Sequence, residues 1–426
     1  MTMTSRGSIT SRRLLAAAMG FALAWIITAV GTVLPVGPAA ARNLQPILGC
    51  GTATEIGNSN LAPLYVDGGC MPQTNPNIAF TNIKICAPGS KTNCQVIDHV
   101  QVDTGSVGLR LSSSAVNGSL LQAMTKIPTS GGQILTGCAV FGDLSLLYGP
   151  IQTADVYIAN KFVKSFPVQV YGQNPPVAGC GIGGFQAPAN QNGLLGIALE
   201  LSGSVIYYSC NTDGSNCAPT TPTTNASPNL VSKFQNDNNG VAIALSQILG
   251  SGSADPVLGL LIFGIGTHAN NTPPVGTVPL QANPSGFINL QIGSSTIIPA
   301  IIDSGTSVVF VPASDVPAMP QCNLAIGSFC PSPDIDISLG LSSTGVTTPA
   351  INVGYTITDA DTLVASGNLV ADNDFAADGG SGSANLGLPF FFGKTMYFVF
   401  AGQPSPLGTG PLNAMSPQGT LTTAAQ

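Results

Sequence analysis

The feature that most constrains this chain occurs twice. A short strand runs into Asp, a small hydroxyl residue, Gly and a second hydroxyl residue. In the first half it reads Val102-Asp103-Thr104-Gly105-Ser106-Val107, and in the second Ile302-Asp303-Ser304-Gly305-Thr306-Ser307. Each copy has an approach strand, Ile97 to Val102 or Ile297 to Ile302, and leaves on an apolar run, Leu109 to Leu111 or Val308 to Val311. A strand that ends this way presents a carboxylate at a tight turn, and the Gly lets the backbone come close and offer N–H donors to it. One such tetrapeptide is common in a chain rich in Gly, Ser and Thr. Two copies with matching flanks, one per half, point to a duplicated unit that sets two carboxylates in equivalent places.

Composition narrows the class. Only 7% of the 426 residues are charged, while 51 Gly and 33 Pro punctuate the chain. Few charges and few amphipathic helical runs argue for an all-β protein with polar, uncharged surfaces. A hydrophobic content of 44% can bury a large core, which argues against disorder over most of the chain. The net charge of -7 and a pI near 4.5 argue against a nucleic-acid partner, because nothing here would neutralise phosphates.

The first 41 residues read as a targeting signal. Arg6, Arg12 and Arg13 precede an apolar stretch from Leu14 to Val36, and Ala39-Ala40-Ala41 supplies small residues for cleavage. Such a signal implies export to the periplasm, cell surface or medium, with no stable membrane span after its removal. Ser11-Arg12-Arg13-Leu14-Leu15 has the form of a twin-arginine signal and Ile47-Leu48-Gly49-Cys50 that of a lipoprotein acylation site, so the route and a lipid anchor at Cys50 stay open. All ten cysteines come after the signal, and no Cys-x-x-Cys is present. An even number in an exported chain reads as structural disulfides. Cys86 with Cys94, Cys210 with Cys217 and Cys322 with Cys330 read as staples across hairpins or short loops. The remaining four, Cys50, Cys70, Cys138 and Cys180, have 50–70 and 138–180 as one way of joining.

The paired stretches and the segments downstream of each resemble the pepsin-like aspartic peptidases, in which two homologous lobes each give one Asp-[Thr/Ser]-Gly loop to a shared site. Asn192-Gly193-Leu194-Leu195-Gly196-Ile197-Ala198 is similar to that family's apolar-apolar-Gly segment beneath the first loop, with Asn385-Leu386-Gly387 as its counterpart. The run from Pro389 to Phe400 resembles the family's last aromatic strands. The resemblance covers residues 77 to 412. It implies an all-β, bilobal fold of two β-barrel-like lobes with the active site in the cleft between them. The lobes fall at 77–252 and 253–412, between an N-terminal extension at 42–76 and a loose tail at 413–426.

The same resemblance implies that Asp103 and Asp303 form a catalytic pair that activates water, with no metal and no cofactor. Thr104 and Ser304 would cross-link the two loops, Gly105 and Gly305 would support them, and Ser106 and Thr306 would hydrogen-bond the outer carboxylate oxygens. Tyr148, in Leu144-Ser145-Leu146-Leu147-Tyr148-Gly149-Pro150, would be the flap residue over the substrate. The implied protein is an exported, monomeric aspartic endopeptidase of limited specificity with protein or peptide substrates. The contrasting expectation is a weak or inactive relative that binds peptides or glycans in its cleft.

Several residues depart from that pattern or compete with it. Arg110 stands where the family has a Trp seven residues after the first Asp. It reads as a different flap support, an anchor for acidic substrate groups, or a side chain turned to solvent. The segment after Tyr148 is short for a closing flap. The stretch between signal and first lobe is poor in basic residues, unlike the prosegments of many relatives. His99 and His268 read as ordinary strand or surface residues, since no Gly-x-Ser-x-Gly accompanies them. Asp372-Asn373-Asp374 with Asp378-Gly379 lacks calcium-loop spacing and reads as a solvated turn. Residues 201–228 read as an irregular insertion.

Overall fold

Short β-branched and aromatic runs, cut by Gly and Pro, favour strands that turn back on one another. The computed structural model describes residues 56–70, 75–181, 191–250 and 252–416. In it these runs form one sheet of 16 strands, one of 7 and a two-stranded ribbon. Among the described residues α-helix is confined to Gly118–Ala123 and Ala360–Ser366. The molecule is essentially all-β, with two barrel-like sheets in a bilobal, pepsin-like arrangement. No helix among the described residues is long and apolar enough to cross a membrane.

The duplication seen in the sequence is a duplication of strand crossing. In the first half the approach strand Cys94–Asp103 pairs in parallel with Gly193–Ile197, placing Val102 opposite Leu195 and Asp103 opposite Gly196. That strand pairs antiparallel with the exit strand Val107–Ser112, which pairs in parallel with Lys161–Tyr171. The second half repeats the order. Ile298–Ile302 pairs in parallel with Ala384–Leu386, which runs antiparallel to Val309–Val311, itself parallel to Ala376–Asp378. Leu195 and Leu386 sit at the equivalent places, both fully buried in the apolar cluster that also holds Val102 and Ile302. Burial of each stabilises the crossing by roughly 2 kcal/mol.

Strands from the stretches flanking the two lobes enter the 16-stranded sheet, and one of them joins the halves, which differs from the sequence expectation. Leu61–Val66, within the stretch read as an extension, pairs residue for residue with Val257–Phe263. Leu412–Met415, largely within the stretch read as a loose tail, is buried and pairs with Thr395–Val399 and Val278–Gln281. Their mostly apolar composition is what a sheet interior requires; their place outside the recognised lobes hid it. Part of the insertion at 201–228 is also regular: Ile206–Cys210 and Ala218–Thr220 form a hairpin, and Ile206–Cys210 extends the sheet beside Ile134–Val140.

Four disulfides lie among the described residues: Cys86–Cys94, Cys138–Cys180, Cys210–Cys217 and Cys322–Cys330. Cys70 is also disulfide-bonded. Cys50, its expected partner, and the targeting segment lie outside the described residues, as does the chain beyond 416.

Candidate active site

The two strand crossings point their Asp turns at each other. Asp103 is 4% exposed and Asp303 9%. The chain is Gly where the loops meet because nothing larger fits. A Cβ on Gly105 would lie 2.5 Å from Asp303 Cγ, and one on Gly305 would lie 2.6 Å from Asp103 Cγ. The Gly of each apolar-apolar-Gly segment has the same cause. A Cβ on Gly196 would come within 2.8 Å of the Ser106 carbonyl, and one on Gly387 within 2.6 Å of the Thr306 oxygen. That close approach lets Ala198 N–H donate to Ser106 O (2.8 Å) and Leu388 N–H to Thr306 O (2.7 Å).

The small hydroxyl residues lock the loops reciprocally. Thr104 Oγ1 donates to Ile302 O at 3.0 Å and accepts from Ser304 N–H at 2.9 Å. Ser304 Oγ donates to Val102 O at 2.8 Å and accepts from Thr104 N–H at 3.1 Å. Both side chains are buried, so these four bonds satisfy the turn backbone where water does not reach. Two further side chains reach across: Gln101 Nε2 donates to Gly305 O (2.9 Å), and Asn77 Nδ2 to Ser307 O (3.0 Å).

Each carboxylate receives its own loop's donors, but not equally. Asp103 Oδ1 accepts from Gly105 N–H at 2.7 Å, and its Oδ2 from the Ser106 hydroxyl. Asp303 Oδ1 accepts from Gly305 N–H at 2.8 Å, and its Oδ2 from Thr306 Oγ1 at 2.7 Å. Asp303 has one donor more: Asn385 Nδ2 lies 3.0 Å from Oδ2 and 3.0 Å from Thr306 Oγ1. Burial and the facing Asp303 carboxylate push the Asp103 carboxyl up to about 7, against the Ser106 hydroxyl and Gly105 N–H, which favour its charged form. In the sequence Asn385 opens the segment Asn385-Leu386-Gly387, which reads as packing. The signal was there, as a polar residue where the first half has Leu194.

Arg110 is not turned to solvent. It is 3% exposed, and among the described residues no carboxylate lies within ion-pair distance. Its Nη2 donates to Val107 O at 2.9 Å and its Nε to Gln169 Oε1 at 3.1 Å, while the guanidinium stands 5.7 Å from the centre of the Phe141 ring. Gln169 in turn donates to Gly137 O (2.8 Å) and Leu147 O (2.9 Å), one in each strand of the hairpin formed by Ile134–Val140 and Leu146–Ile158. One guanidinium and one amide thus add a side-chain link between the exit strand of the first loop and a hairpin that the ladder with Lys161–Tyr171 also holds. Burial lowers the Arg110 pKa to about 10, opposed by the charges of Asp103 and Tyr207.

Tyr148 departs from its expected place. The hairpin is present, but Tyr148 sits opposite Cys138 in its ladder and is 1% exposed. Its hydroxyl lies against the Cys210–Cys217 sulfurs, at 3.6 and 3.4 Å, and its ring packs with Tyr208. Strand alternation sends it into this disulfide cluster, so it does not cover the carboxylates. Phe141, in the turn of the hairpin, is the aromatic that meets Arg110.

The remaining candidates are structural. His99 is fully buried, with Nε2 3.0 Å from Asp67 and Nδ1 3.3 Å from Asp98. His268 is half-exposed beside Asp237, which also binds Lys161. The turn read as solvated is not: Asp372 is 1% exposed, and its N–H donates to Asn77 Oδ1. Asp361 comes near Cys322 and Cys330, but those sulfurs are joined, and the carboxylate accepts from the N–H groups of Asn323, Leu324 and Ala325.

The family described as "Protein of unknown function (DUF3443)" matches residues 57–415, and the chain belongs to it. The sequence matches none of the curated proteins. Among solved structures, the crystal structure of aspartic proteinase from Irpex lacteus is similar, with a TM-score of 0.53 and 14% sequence identity. The match covers 86% of this chain and 99% of that one. The relationship to the pepsin-like aspartic protease fold is therefore distant, and at this identity it bears on the fold alone.

Proposed function

We propose that this member of the DUF3443 family is an aspartic endopeptidase in which Asp103 and Asp303 activate water against a peptide bond. The observation that carries the reading is the reciprocal geometry of the loops: two buried carboxylates, each with backbone and hydroxyl donors, face one another across glycines that admit no side chain. Two such groups cannot both ionise easily, so they share a proton. The charged one takes a proton from water while the protonated one gives a hydrogen bond to the scissile carbonyl. The substrates are protein or peptide chains met outside the cytoplasm after loss of residues 1–41, and the protein acts as a monomer. The tether from Arg110 through Gln169 to both hairpin strands favours limited rather than broad specificity, because a held hairpin adapts to fewer side chains.

A second reading, binding of peptides or glycans without catalysis, is favoured by one observation: Tyr148 is packed away from the carboxylates. The deciding experiment is digestion of an unstructured protein between about pH 3 and about pH 7 by wild type, Asp103→Asn and Asp303→Asn, with and without a statine-type mimic. Cutting by wild type alone, blocked by the mimic, is expected. Binding of the mimic without cutting supports the second reading. Neither cutting nor binding overturns both.

A further inference from the structure

The sequence repeats its carboxylate loops, yet the residues beneath them differ. The strand under the first loop carries Leu194, paired with Arg110, and the strand under the second carries Asn385, paired with Phe310. Asn385 aims its amide at the functional oxygen rather than at the sheet. Its Nδ2 donates to Asp303 Oδ2 and to the Thr306 hydroxyl that bonds the same oxygen. Its Oδ1 is buried with no donor among the described residues. A residue that served packing alone would not carry that cost, as Leu194 shows.

From this geometry we infer that Asn385 polarises the carboxylate pair, holding the negative charge on Asp303 and leaving the proton with Asp103. Hydrogen bonds to a carboxylate favour its charged form, and Asp303 receives three side-chain and backbone donors where Asp103 receives two. The upward push on Asp103 from burial and from Asp303 agrees in direction. The other charged or titratable groups around the pair act less directly. Arg110 opposes the inferred order, since its charge and that of Asp103 favour each other, but its hydrogen bonds go to Val107, Gly108 and Gln169 and none reaches the carboxylate. His99 on the approach strand is paired with Asp67 and Asp98, and Glu200 lines a recess with Thr104 and Gly105.

The assignment of roles rests on the peptidase reading. Asp303 then takes a proton from water as the water oxygen bonds to the scissile carbonyl carbon, and the carbonyl oxygen takes the proton of Asp103. The product is a gem-diol, with Asp303 protonated and Asp103 charged. Asn385 is a positioning residue in this scheme, since it acts through Asp303.

The test is a carbon-13 titration of the aspartate carboxyls in the intact, substrate-free protein, assigned with Asp103→Asn and Asp303→Asn. As pH rises, Asp303 is expected to ionise before Asp103. In Asn385→Leu, which copies the residue under the first loop, the first ionisation is expected to move up by about one pH unit. The acid limb of kcat/KM on an unstructured protein should move with it. A merely structural Asn385 would change the folded fraction or the rate and leave the limb in place. Ionisation of Asp103 first in wild type, or steps unmoved in Asn385→Leu, overturns the inference; the wild-type order decides alone if the variant does not fold. A wild type that titrates in the expected order yet cuts nothing upholds the polarisation and sinks the peptidase reading instead.

Discussion

The two carboxylate loops share a backbone and differ in what holds it. The first is approached by a strand whose His99 is buried between two carboxylates, and is left by a strand carrying the buried Arg110. At the same offsets the second has Pro299, which is exposed, and Phe310. Beneath the loops the contrast reverses, with Leu194 under the first and Asn385 under the second. Duplication thus preserved the strand crossing, which is set by steric fit around glycines, and left the charged and polar supports free to diverge. The first half braces its loop with buried cations at some distance from the carboxylate. The second puts a neutral amide directly on it.

The comparison can be pressed hardest at the carboxylates themselves. On the proposed peptidase function, Asp103→Asn and Asp303→Asn are each expected to lower kcat/KM by roughly 10⁴-fold, because acid and base would act as one unit. A variant that keeps most of the wild-type rate would show that the halves are not functionally paired. Gly105→Ala and Gly305→Ala test the shared backbone. Each new methyl meets the opposite carboxyl, so each should lower kcat/KM by about 10²-fold and destabilise by about 1–3 kcal/mol in urea unfolding. Equal losses mean the loops are sterically equivalent; a tolerated alanine on one side would break the symmetry.

Arg110→Met and Phe310→Met separate the halves. The first leaves Gln169 Oε1 without a donor and Val107 O with only the Ser227 hydroxyl, and should cost about 2 kcal/mol, whereas the second changes a half-buried apolar contact and should cost about 1 kcal/mol or less. Similar midpoints for the two variants would remove the special role of the guanidinium.

The last contrast concerns pH. Burial alone would lower the His99 pKa, but hydrogen bonds and charges from Asp67 and Asp98 overcome it and raise it to about 9. Because the folded value lies above the unfolded one, the stabilisation is fully present below about pH 6.5 and is lost as pH rises through about 9. Thermal unfolding should show a loss of roughly 1–2 kcal/mol across that window, absent in His99→Gln. A loss of the same size in His99→Gln would place the titration elsewhere.

Much of this was legible because it is local. Asp-hydroxyl-Gly turns announce themselves through their own residues, and the close cysteine pairs sit across hairpins whose strands alternate visibly. Tyr148 was misplaced for the opposite reason. Its neighbours in sequence form the hairpin, but the side of the strand it faces depends on the pairing with Cys138 and on the distant Cys210–Cys217 bridge. Leu61–Val66 and Leu412–Met415 were hidden likewise, since each has a partner far away in sequence, Val257–Phe263 and Val278–Gln281.

By itself the sequence determined the all-β class and the two carboxylate turns, because strand period and glycine turns are written in adjacent residues. It also marked the positions where the halves depart from each other. Only the tertiary structure decided that the two turns meet, that Arg110 is buried against a hairpin, and that Asn385 reaches Asp303. These depend on strand register, where a slip of one residue sends every side chain to the other face, and register is set by partners far along the chain.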